Sequence, residues 1–285
     1  MILSIVILNF NTKDLLAKCL ESIIKYPPIC EYEVFVVDNA SNDGSKEFVR
    51  SLKSPFVPIV SEENAGFSKG NNLALKKVTG EYVLLLNPDT EVLEGSFNKC
   101  ILKMEQDSSI GILGCKVLLP NGKLDLACRR GFPNLQNSVF KFSGLAKLFS
   151  KNKLFAGYNL TYLDENKSYE VDSVVGAYMM MRQTVMKKIG LLDEDFFMYG
   201  EDIDWCYRTK QAGYRVFYFS EATIIHHKRA SSKQSAKALI EFYRAMEIFY
   251  NKHYAKSHSK FVNVLVINSI RLLAKVKIMR NKMIR

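Results

Sequence analysis

Short apolar runs alternate with amphipathic segments along the chain up to residue 90. The first such segment, residues 13–25, carries apolar residues at helical spacing, and shorter helices are predicted at 46–52 and 68–78. The intervening runs are continuously apolar, as in strands buried on both faces of a parallel sheet: Ser4–Asn9, Glu33–Asp38, Val57–Ser61 and Glu81–Leu86. This alternation predicts an α/β fold with a mostly parallel sheet and helices on both faces.

The second half of the chain has a less regular pattern. Strands are predicted at Ile110–Leu119, which turns back at Asn121–Gly122, and at Val171–Met181, Tyr214–Tyr218 and Ile224–His227. Helices are predicted at Thr184–Ile189, Glu201–Ala212 and Ser235–His253, and residues 134–158 form either a mobile loop or an amphipathic helix. Because no internal repeat or low-complexity linker separates the halves, we expect them to share one sheet.

The net charge of +11 is concentrated at the C-terminal end. Residues 251–285 contain nine lysines and arginines and no acid, whereas residues 1–250 carry 31 bases against 29 acids. This nearly neutral body argues against nucleic-acid binding. The apolar run at 261–270 is too short to span a bilayer, so we predict a basic amphipathic helix on an anionic membrane surface, next to the similar segment 138–155. A solvated helix packed on the body is the alternative.

Cysteine usage and the N-terminus indicate the compartment. The six cysteines are scattered and include no CxxC pair, which favours reduced structural thiols over a disulfide framework. The opening MILSIVILNF lacks the basic region and cleavage site of a signal peptide and is too short to span a bilayer. With the basic tail, these features predict a cytoplasmic protein, peripheral at the cytoplasmic face of the inner membrane.

Polar side chains gather at two places that are suited to chemistry. Asn9, Asp38, Asn64 and Asp89 follow the predicted strands, at the sheet edge where α/β proteins bind ligands. Four more acids lie among apolar and aromatic neighbours, where an unused charge is costly: Asp195, Glu201, Asp202 and Asp204. A carboxylate beside a cleft can take a proton from a hydroxyl nucleophile. An acid at a strand end can hold a metal and a phosphate, and an acid of the second group can act as a base. This combination predicts group transfer from a nucleotide-linked donor.

Seven segments together resemble one known family: SIVILNFN, VVDNASNDGS, NAGFSKGNN, LLLNPDT, GAYMMMR, FMYGEDIDWCYR and HHKRASS. They are similar, in the same order and over about residues 1–235, to glycosyltransferase family 2 with the GT-A fold, and most to its bacterial rhamnosyltransferase-like branch. The resemblance implies an inverting, metal-dependent transfer from a nucleotide-diphosphate sugar to a hydroxyl acceptor. It also implies a nucleotide-sugar-binding half at 1–110, an acceptor-binding and catalytic half at 111–235, and a basic helical tail at 236–285.

The resemblance assigns the donor side of the site to the strand ends. Asp38 would accept from the base edge of the nucleotide, a task that a carboxylate suits, with turn capping as the plainer alternative. The base and ribose pocket would be completed by Leu8, Asn9, Phe10, Asn64 and Gly66. Asp89 is the remaining acid of the metal motif, with Asn87 where the first acid could stand, and it would hold Mn²⁺ or Mg²⁺ against the diphosphate. Capping of the following turn is the alternative for Asp89.

The acceptor side is assigned to the acidic stretch. Asp202 is predicted as the catalytic base and Glu201 as its alternative, although the helix dipole by itself favours acids in a first turn. Asp204 is predicted either to pair with Arg208 at i+4 or to lie on the helix face as an acid without that partner. The acceptor and sugar pocket is assigned to Gly176, Ala177 and Trp205.

The histidine pair His226–His227 ends an apolar strand and is assigned to the metal or diphosphate. His226 matches the spacing of the family's H-x-x-G-x-S pattern to Ser231, whereas Arg229 replaces its glycine. We favour His226 over His227 as the group that joins Asp89 at the metal; a strand-end histidine without a ligand role is the alternative. Lys228 and Arg229 are further candidates for binding the diphosphate.

Three functions are weighed on these residues. The leading one transfers rhamnose from dTDP-rhamnose to a saccharide or lipid-linked saccharide in cell-surface polysaccharide synthesis. A UDP-hexose donor is the alternative within the class, and a nucleotide-sugar-binding scaffold without turnover is the alternative outside it. The joint presence of Asp89, Glu201 and Asp202 argues against the scaffold.

Overall fold

A computed structural model describes residues 2–228 and 236–283 of this chain, without the side chains of residues 236, 282 and 283. The first part alternates strand and helix as the apolar pattern predicts: β1 Ile2–Asn9, α1 Lys13–Lys25, β2 Glu31–Asn39, α2 Ser45–Ser51, β3 Phe56–Ser61, α3 Gly66–Leu75 and β4 Tyr82–Leu86. The side chains of β1, β2 and β4 that face the helices are almost completely buried, which explains their continuous apolar runs.

The second part mixes short strands and helices. Its first elements are β5 Thr90–Val92, α4 Ser96–Gln106, β6 Ile110–Leu118, α5 Leu135–Ser143, α6 Leu145–Leu148, β7 Tyr169–Val171 and β8 Tyr178–Arg182. They are followed by α7 Gln183–Ile189, α8 Glu201–Gln211, β9 Arg215–His226, α9 Ala236–His253 and α10 Lys260–Met283. The segment that could be loop or helix is therefore largely helical at α5 and α6.

All nine described strands join one sheet in the order β3-β2-β1-β4-β8-β6-β9-β5, and β7 pairs with β9 on the edge opposite β6. The sheet is mostly parallel: β1 pairs in parallel with β2 and β4, and β6 with β9, while β8 runs antiparallel between β4 and β6. This arrangement confirms the α/β prediction. The boundaries proposed at 110/111 and 235/236 stay a prediction.

Two predicted strand boundaries are wrong. The expected strand Val171–Met181 is divided into β7 and β8, because Ser173 leaves the ladder to exchange backbone hydrogen bonds with Arg130. The two runs expected at Tyr214–Tyr218 and Ile224–His227 form the single strand β9. The first change turns Gly176 and Ala177 out of the strand and into the cleft described below.

The C-terminal helices pack on each other. Ile270 of α10 is buried, the Tyr250 hydroxyl of α9 donates to Asn263 Oδ1 at 2.7 Å, and Arg271 pairs with Glu247. The tail is thus helical, as predicted. No helix within the described residues is both long enough and apolar enough to cross a membrane.

Candidate active site

Two adjoining cavities open at the carboxyl ends of β1 and β4. The first, about 430 Å³, brings together six residues predicted to bind the nucleotide: Leu8, Phe10, Asn64, Gly66, Asn87 and Asp89. The second, about 590 Å³, is lined by Gly176, Ala177, Glu201, Asp202 and His226. Phe67, Asn87 and Met198 line both cavities, so the predicted donor and acceptor residues face one continuous cleft.

Asn9 and Asp38 lie behind the wall of the first cavity rather than on it. They are adjacent in the β1–β2 register, neither is exposed, and Asn9 Nδ2 donates to Asp38 Oδ1 at 3.1 Å. The other carboxylate oxygen of Asp38 accepts from the Ser41 backbone N–H at 3.0 Å. In this structure the pair supports the turn after β2, which is the capping alternative, and base binding by Asp38 stays a prediction.

The loop before α3 is held in shape by Asn39, a residue that the sequence did not point to. Its amide donates to Asn64 Oδ1 and its carbonyl oxygen accepts from the Ala65 N–H, both at 3.0 Å. Gly66 follows with a φ of 83°, and a Cβ there would lie 2.6 Å from Phe197. Glycine is therefore required by both the backbone conformation and the close approach.

Asp89 and His226 meet at the boundary between the two cavities. His226 Nε2 lies 3.1 Å from Asp89 Oδ1, and on its other side His226 Nδ1 lies 3.3 Å from Asp125 Oδ2. Burial alone would lower the pKa of His226, but its contacts with Asp125 and Asp89 raise it. For Asp125 the effects have the opposite signs: burial alone would raise its pKa, but hydrogen bonds with His226 and Lys228 hold the pKa of Asp125 well below its usual range. His227 points elsewhere, to Glu91 at 2.8 Å, so His226 is the histidine of the cleft.

The donor set fits a divalent cation that the protein holds with few ligands. Mg²⁺ and Mn²⁺ both accept carboxylate ligands, Mn²⁺ also accepts imidazole, and catalytic Mg²⁺ is held by one or two carboxylates together with substrate phosphates and water. Asp89 Oδ1 and His226 Nε2 are close enough to bind one ion, with Asp125 orienting the imidazole from behind. No cluster of three or more His, Cys, Asp or Glu suited to a metal occurs in the described part of the chain. Arg229 and Ser231 lie outside the described residues.

Glu201 and Asp202 open helix α8, on the floor of the second cavity. Arg130 Nη2 donates to Asp202 Oδ2 at 2.7 Å, and both side chains are about nine-tenths buried. The Gly176 N–H points to the same oxygen at 3.3 Å, while Asp202 Oδ1 accepts from the Ile203 N–H at 2.8 Å. A buried guanidinium stabilises the ionised carboxylate, the form that a general base requires.

The adjacent acid Glu201 has the opposite environment. It is buried, and its Oε2 has no hydrogen-bond partner among the described residues. Burial and the neighbouring Asp202 charge raise the pKa of Glu201 to about 8. Two neighbouring carboxyl groups thus have different surroundings: Asp202 is paired to the Arg130 guanidinium, whereas Glu201 is unpaired and protonated near neutral pH.

The remaining acids of the stretch are structural. Asp204 pairs with Arg208 at 2.7 Å, which confirms the predicted i+4 pair, and also accepts from His253. Asp195 is two-thirds exposed and pairs with Lys252. Trp205 does not line the acceptor pocket, contrary to our expectation. Its side chain is completely buried and its indole N–H donates to the Gly190 carbonyl at 3.0 Å, because α8 turns this face toward the core.

Sequence reasoning missed several residues of the cleft. Arg130 and Asp125 come from the irregular segment between β6 and α5, and Lys141 and Tyr158 from the segment that carries α5 and α6. The adjacent pair Arg129–Arg130 inside an apolar run was the one available sign, since a buried arginine requires a carboxylate or carbonyl partner.

The fold matches that of known glycosyltransferases. S. aureus TarS 1-349, solved in complex with UDP-GlcNAc, superposes with a TM-score of 0.62 at 18% identity, covering 95% of this chain and 71% of that one. At this identity the likeness establishes the fold, which is of the GT-A type expected from the motifs. The family model described as glycosyl transferase family 2 matches residues 4–190, and the chain belongs to that family.

Curated relatives are about one quarter identical to this chain over the aligned residues. The O-antigen biosynthesis protein RfbC of Myxococcus xanthus is 25% identical over 82% of this chain, which spans 18% of the length of RfbC. The N-acetylglucosaminyl-diphospho-decaprenol L-rhamnosyltransferase of Mycobacterium tuberculosis is 23% identical over 76% of this chain and 73% of its own length.

Proposed function

We propose that this chain is an inverting glycosyltransferase that moves a sugar from a nucleotide-diphosphate donor to a hydroxyl of a saccharide acceptor in polysaccharide synthesis. The observation that carries the proposal is the continuous cleft, in which Asp89 and His226 stand at the boundary of a nucleotide-sized cavity and Asp202 lies on the floor of the next. Membership of the family and the transferase names of the relatives support it.

Asp202 is the proposed base. The acceptor hydroxyl gives its proton to the Asp202 carboxylate while its oxygen forms a bond to the anomeric carbon. On the opposite face the bond between that carbon and the diphosphate oxygen breaks, and the nucleoside diphosphate leaves with the electron pair, so the configuration inverts. Arg130 and the Gly176 N–H fix the carboxylate, and Glu201, protonated beside it, adds no second negative charge. A divalent cation held by Asp89 and His226 would offset charge on the leaving diphosphate.

The leading donor is dTDP-rhamnose, since the Mycobacterium tuberculosis relative is named a rhamnosyltransferase and acts on a diphospholipid-linked sugar by that name. We propose a lipid-linked saccharide acceptor for the same reason. A UDP-hexose is the second candidate donor, favoured by the neighbour solved with UDP-GlcNAc. Placement at the cytoplasmic face of the membrane through α10 is part of the proposal, and it is supported by residues 251–285, which contain nine bases and no acid.

A thermal-shift titration with dTDP, UDP, GDP and ADP, each with and without Mn²⁺, tests the proposal. A ligand that binds only the folded state raises the melting temperature by mass action. We expect a Mn²⁺-dependent rise with dTDP or UDP, and release of the same diphosphate from the matching sugar nucleotide when acceptor is added. Binding without any release would favour the scaffold, and no rise with any of the four nucleotides would overturn the proposal.

A further inference from the structure

A second, apolar groove lies beside the cleft, between helices α5, α9 and α10. Its volume is about 300 Å³, and its lining contains no charged side chain. The principal lining residues, drawn from all three helices, are Leu135, Val139, Met246, Phe249, Leu265 and Ile270. The groove is therefore suited to a long hydrocarbon and unsuited to a sugar or a nucleotide.

A small cavity of about 60 Å³, the neck, lies between this groove and the catalytic cavity and shares lining residues with both. Phe142 and Phe249 line both the neck and the groove, whereas Tyr199 and Ile203 line both the neck and the cavity of Asp202. An occupant of the groove can thus extend toward the proposed base. A surface patch for an unrelated partner would need no such connection.

Lys141 is the cation at this junction, and it lines both the neck and the catalytic cavity. Its ammonium lies 3.6 Å from the centroid of the Tyr158 ring, and no acid of the described ranges forms an ion pair with it. Burial, with Arg130 nearby, lowers the pKa of Lys141 to about 8. An unpaired ammonium where an apolar channel meets a polar cavity is complementary to an anionic group that carries a hydrocarbon tail.

We propose that the groove binds the hydrocarbon chain of a lipid-linked acceptor and that Lys141 binds the phosphate joining that chain to its sugar. This inference rests on the proposed transferase function and specifies the acceptor class of that site. The hydrocarbon chain of the acceptor lies along α5, α9 and α10, its phosphate occupies the neck, and its sugar reaches the cavity of Asp202. The shared lining of the three cavities and the position of Lys141, where the neck meets the cavity of Asp202, select this occupant over a second copy of the chain or a protein helix.

Binding of farnesyl diphosphate to the full chain, measured by calorimetry below micelle-forming concentrations, tests the apolar part. Leu265→Glu places a charge in the groove. We expect the Kd of this variant for farnesyl diphosphate to rise at least about tenfold, on the scale of one lost apolar side-chain contact. Leu272→Glu is the matched control, because Leu272 is on the same helix, 63% exposed against 52% for Leu265, and outside the groove. The proposal is overturned if the two variants bind farnesyl diphosphate equally more weakly than the unmodified protein, or if neither binds it more weakly.

Lys141→Met tests the phosphate part while keeping the apolar stem. We expect the Kd for farnesyl diphosphate to rise about tenfold and that for farnesol to stay unchanged, since only the former carries the anion. An equal change for both ligands, or none for either, contradicts the role of Lys141. The nucleotide thermal shift is measured on the same samples. An unmodified protein that shows the nucleotide shift but does not bind farnesyl diphosphate overturns this inference alone, whereas an unmodified protein without a nucleotide shift overturns the transferase function itself.

Discussion

Arg130 and Asp202 form a buried ion pair at 2.7 Å although 72 residues separate them in the chain. The pair joins the segment after β6 to the first turn of α8, so the proposed base is fixed from two elements. Arg130 also donates to the Val174 carbonyl at 2.7 Å, which leaves its guanidinium little freedom. Removing one partner of such a pair exposes the other to an uncompensated burial cost of about 3 kcal/mol or more.

The first prediction concerns Asp202→Asn. The amide keeps the shape of the side chain and can still accept from Arg130, but it cannot take a proton from the acceptor. We expect turnover to fall by at least about 100-fold with nucleotide binding retained. Turnover is measured as release of nucleoside diphosphate, and Asp195→Asn, in the same acidic stretch but exposed and outside the cleft, is the control. Near-normal turnover in Asp202→Asn would move the base to Glu201.

The second prediction concerns Asp125→Asn. Asp125 contacts the imidazole of His226 from the side opposite Asp89. An amide at this position has no negative charge, so it orients the imidazole less firmly and makes it a weaker ligand. Such orienting groups typically contribute about 10- to 100-fold to metal affinity. We expect the Mn²⁺ concentration needed for half of the nucleotide-induced thermal shift to rise by that factor. Glu91→Gln, which removes the carboxylate that contacts His227, is the control, and an equal rise there would contradict the assignment to His226.

The site shows where reasoning from the sequence succeeds and where it stops. The β1–β4 strands and the polar residues at their ends follow from local apolar patterns, and Asp89, Glu201, Asp202 and His226 were selected by motif. Arg130 and Asp125 were missed because their partners are 72 and 101 residues away, and no periodicity relates loop residues to a distant helix or strand.

Trp205 was misplaced for a related reason. The motif places Trp205 next to the acids in the sequence. In helix α8, however, the residue after Asp204 faces the core, and the Trp205 side chain is fully buried there. Similarly, the apolar run Val171–Met181 favoured one strand, whereas the backbone of Ser173 pairs with Arg130 and that of Gly176 points to Asp202. In both cases tertiary contacts, rather than local propensity, decided the outcome.

The third prediction concerns the pH dependence of stability. In the unfolded protein Glu201 would lose its proton near pH 4.5, whereas in the folded protein Glu201 keeps its proton up to about pH 8. The folded state therefore binds the extra proton between these values, and this contribution to the free energy of unfolding is lost as pH rises through about 8. Glu201→Gln has no such proton, so we expect its free energy of unfolding relative to the unmodified protein to rise by about 4 kcal/mol between pH 5 and pH 8.5.

Urea unfolding at the two pH values measures this difference. Glu221→Gln changes an exposed glutamate on β9 and serves as the control, for which we expect no pH-dependent difference. The same pH dependence in Glu201→Gln as in the unmodified protein would show that Glu201 is ionised when folded, which would remove the distinction drawn between the two acids.

The fourth prediction concerns the membrane role of α10. Lys275, Lys277 and Arg280 are exposed on this helix, and exposed apolar residues such as Leu272 and Met279 lie among them. Each base near an anionic surface contributes about 1 kcal/mol, so replacing all three with glutamine should weaken binding to vesicles rich in anionic lipid by about 100-fold. Binding is measured by co-sedimentation, and the nucleotide-induced thermal shift should not change because α10 does not line the nucleotide cavity.

A charge-matched variant separates the helix from the overall charge of the protein. Lys18, Lys53 and Lys76 are exposed bases of the N-terminal half, and changing them to glutamine lowers the net charge by the same amount. If α10 provides the membrane contact, this variant keeps nearly all of its vesicle binding, because charges that lie beyond a Debye length of the surface are screened. Equal losses in the two triple variants would show that attraction depends on total charge, and α10 would then have no membrane role of its own.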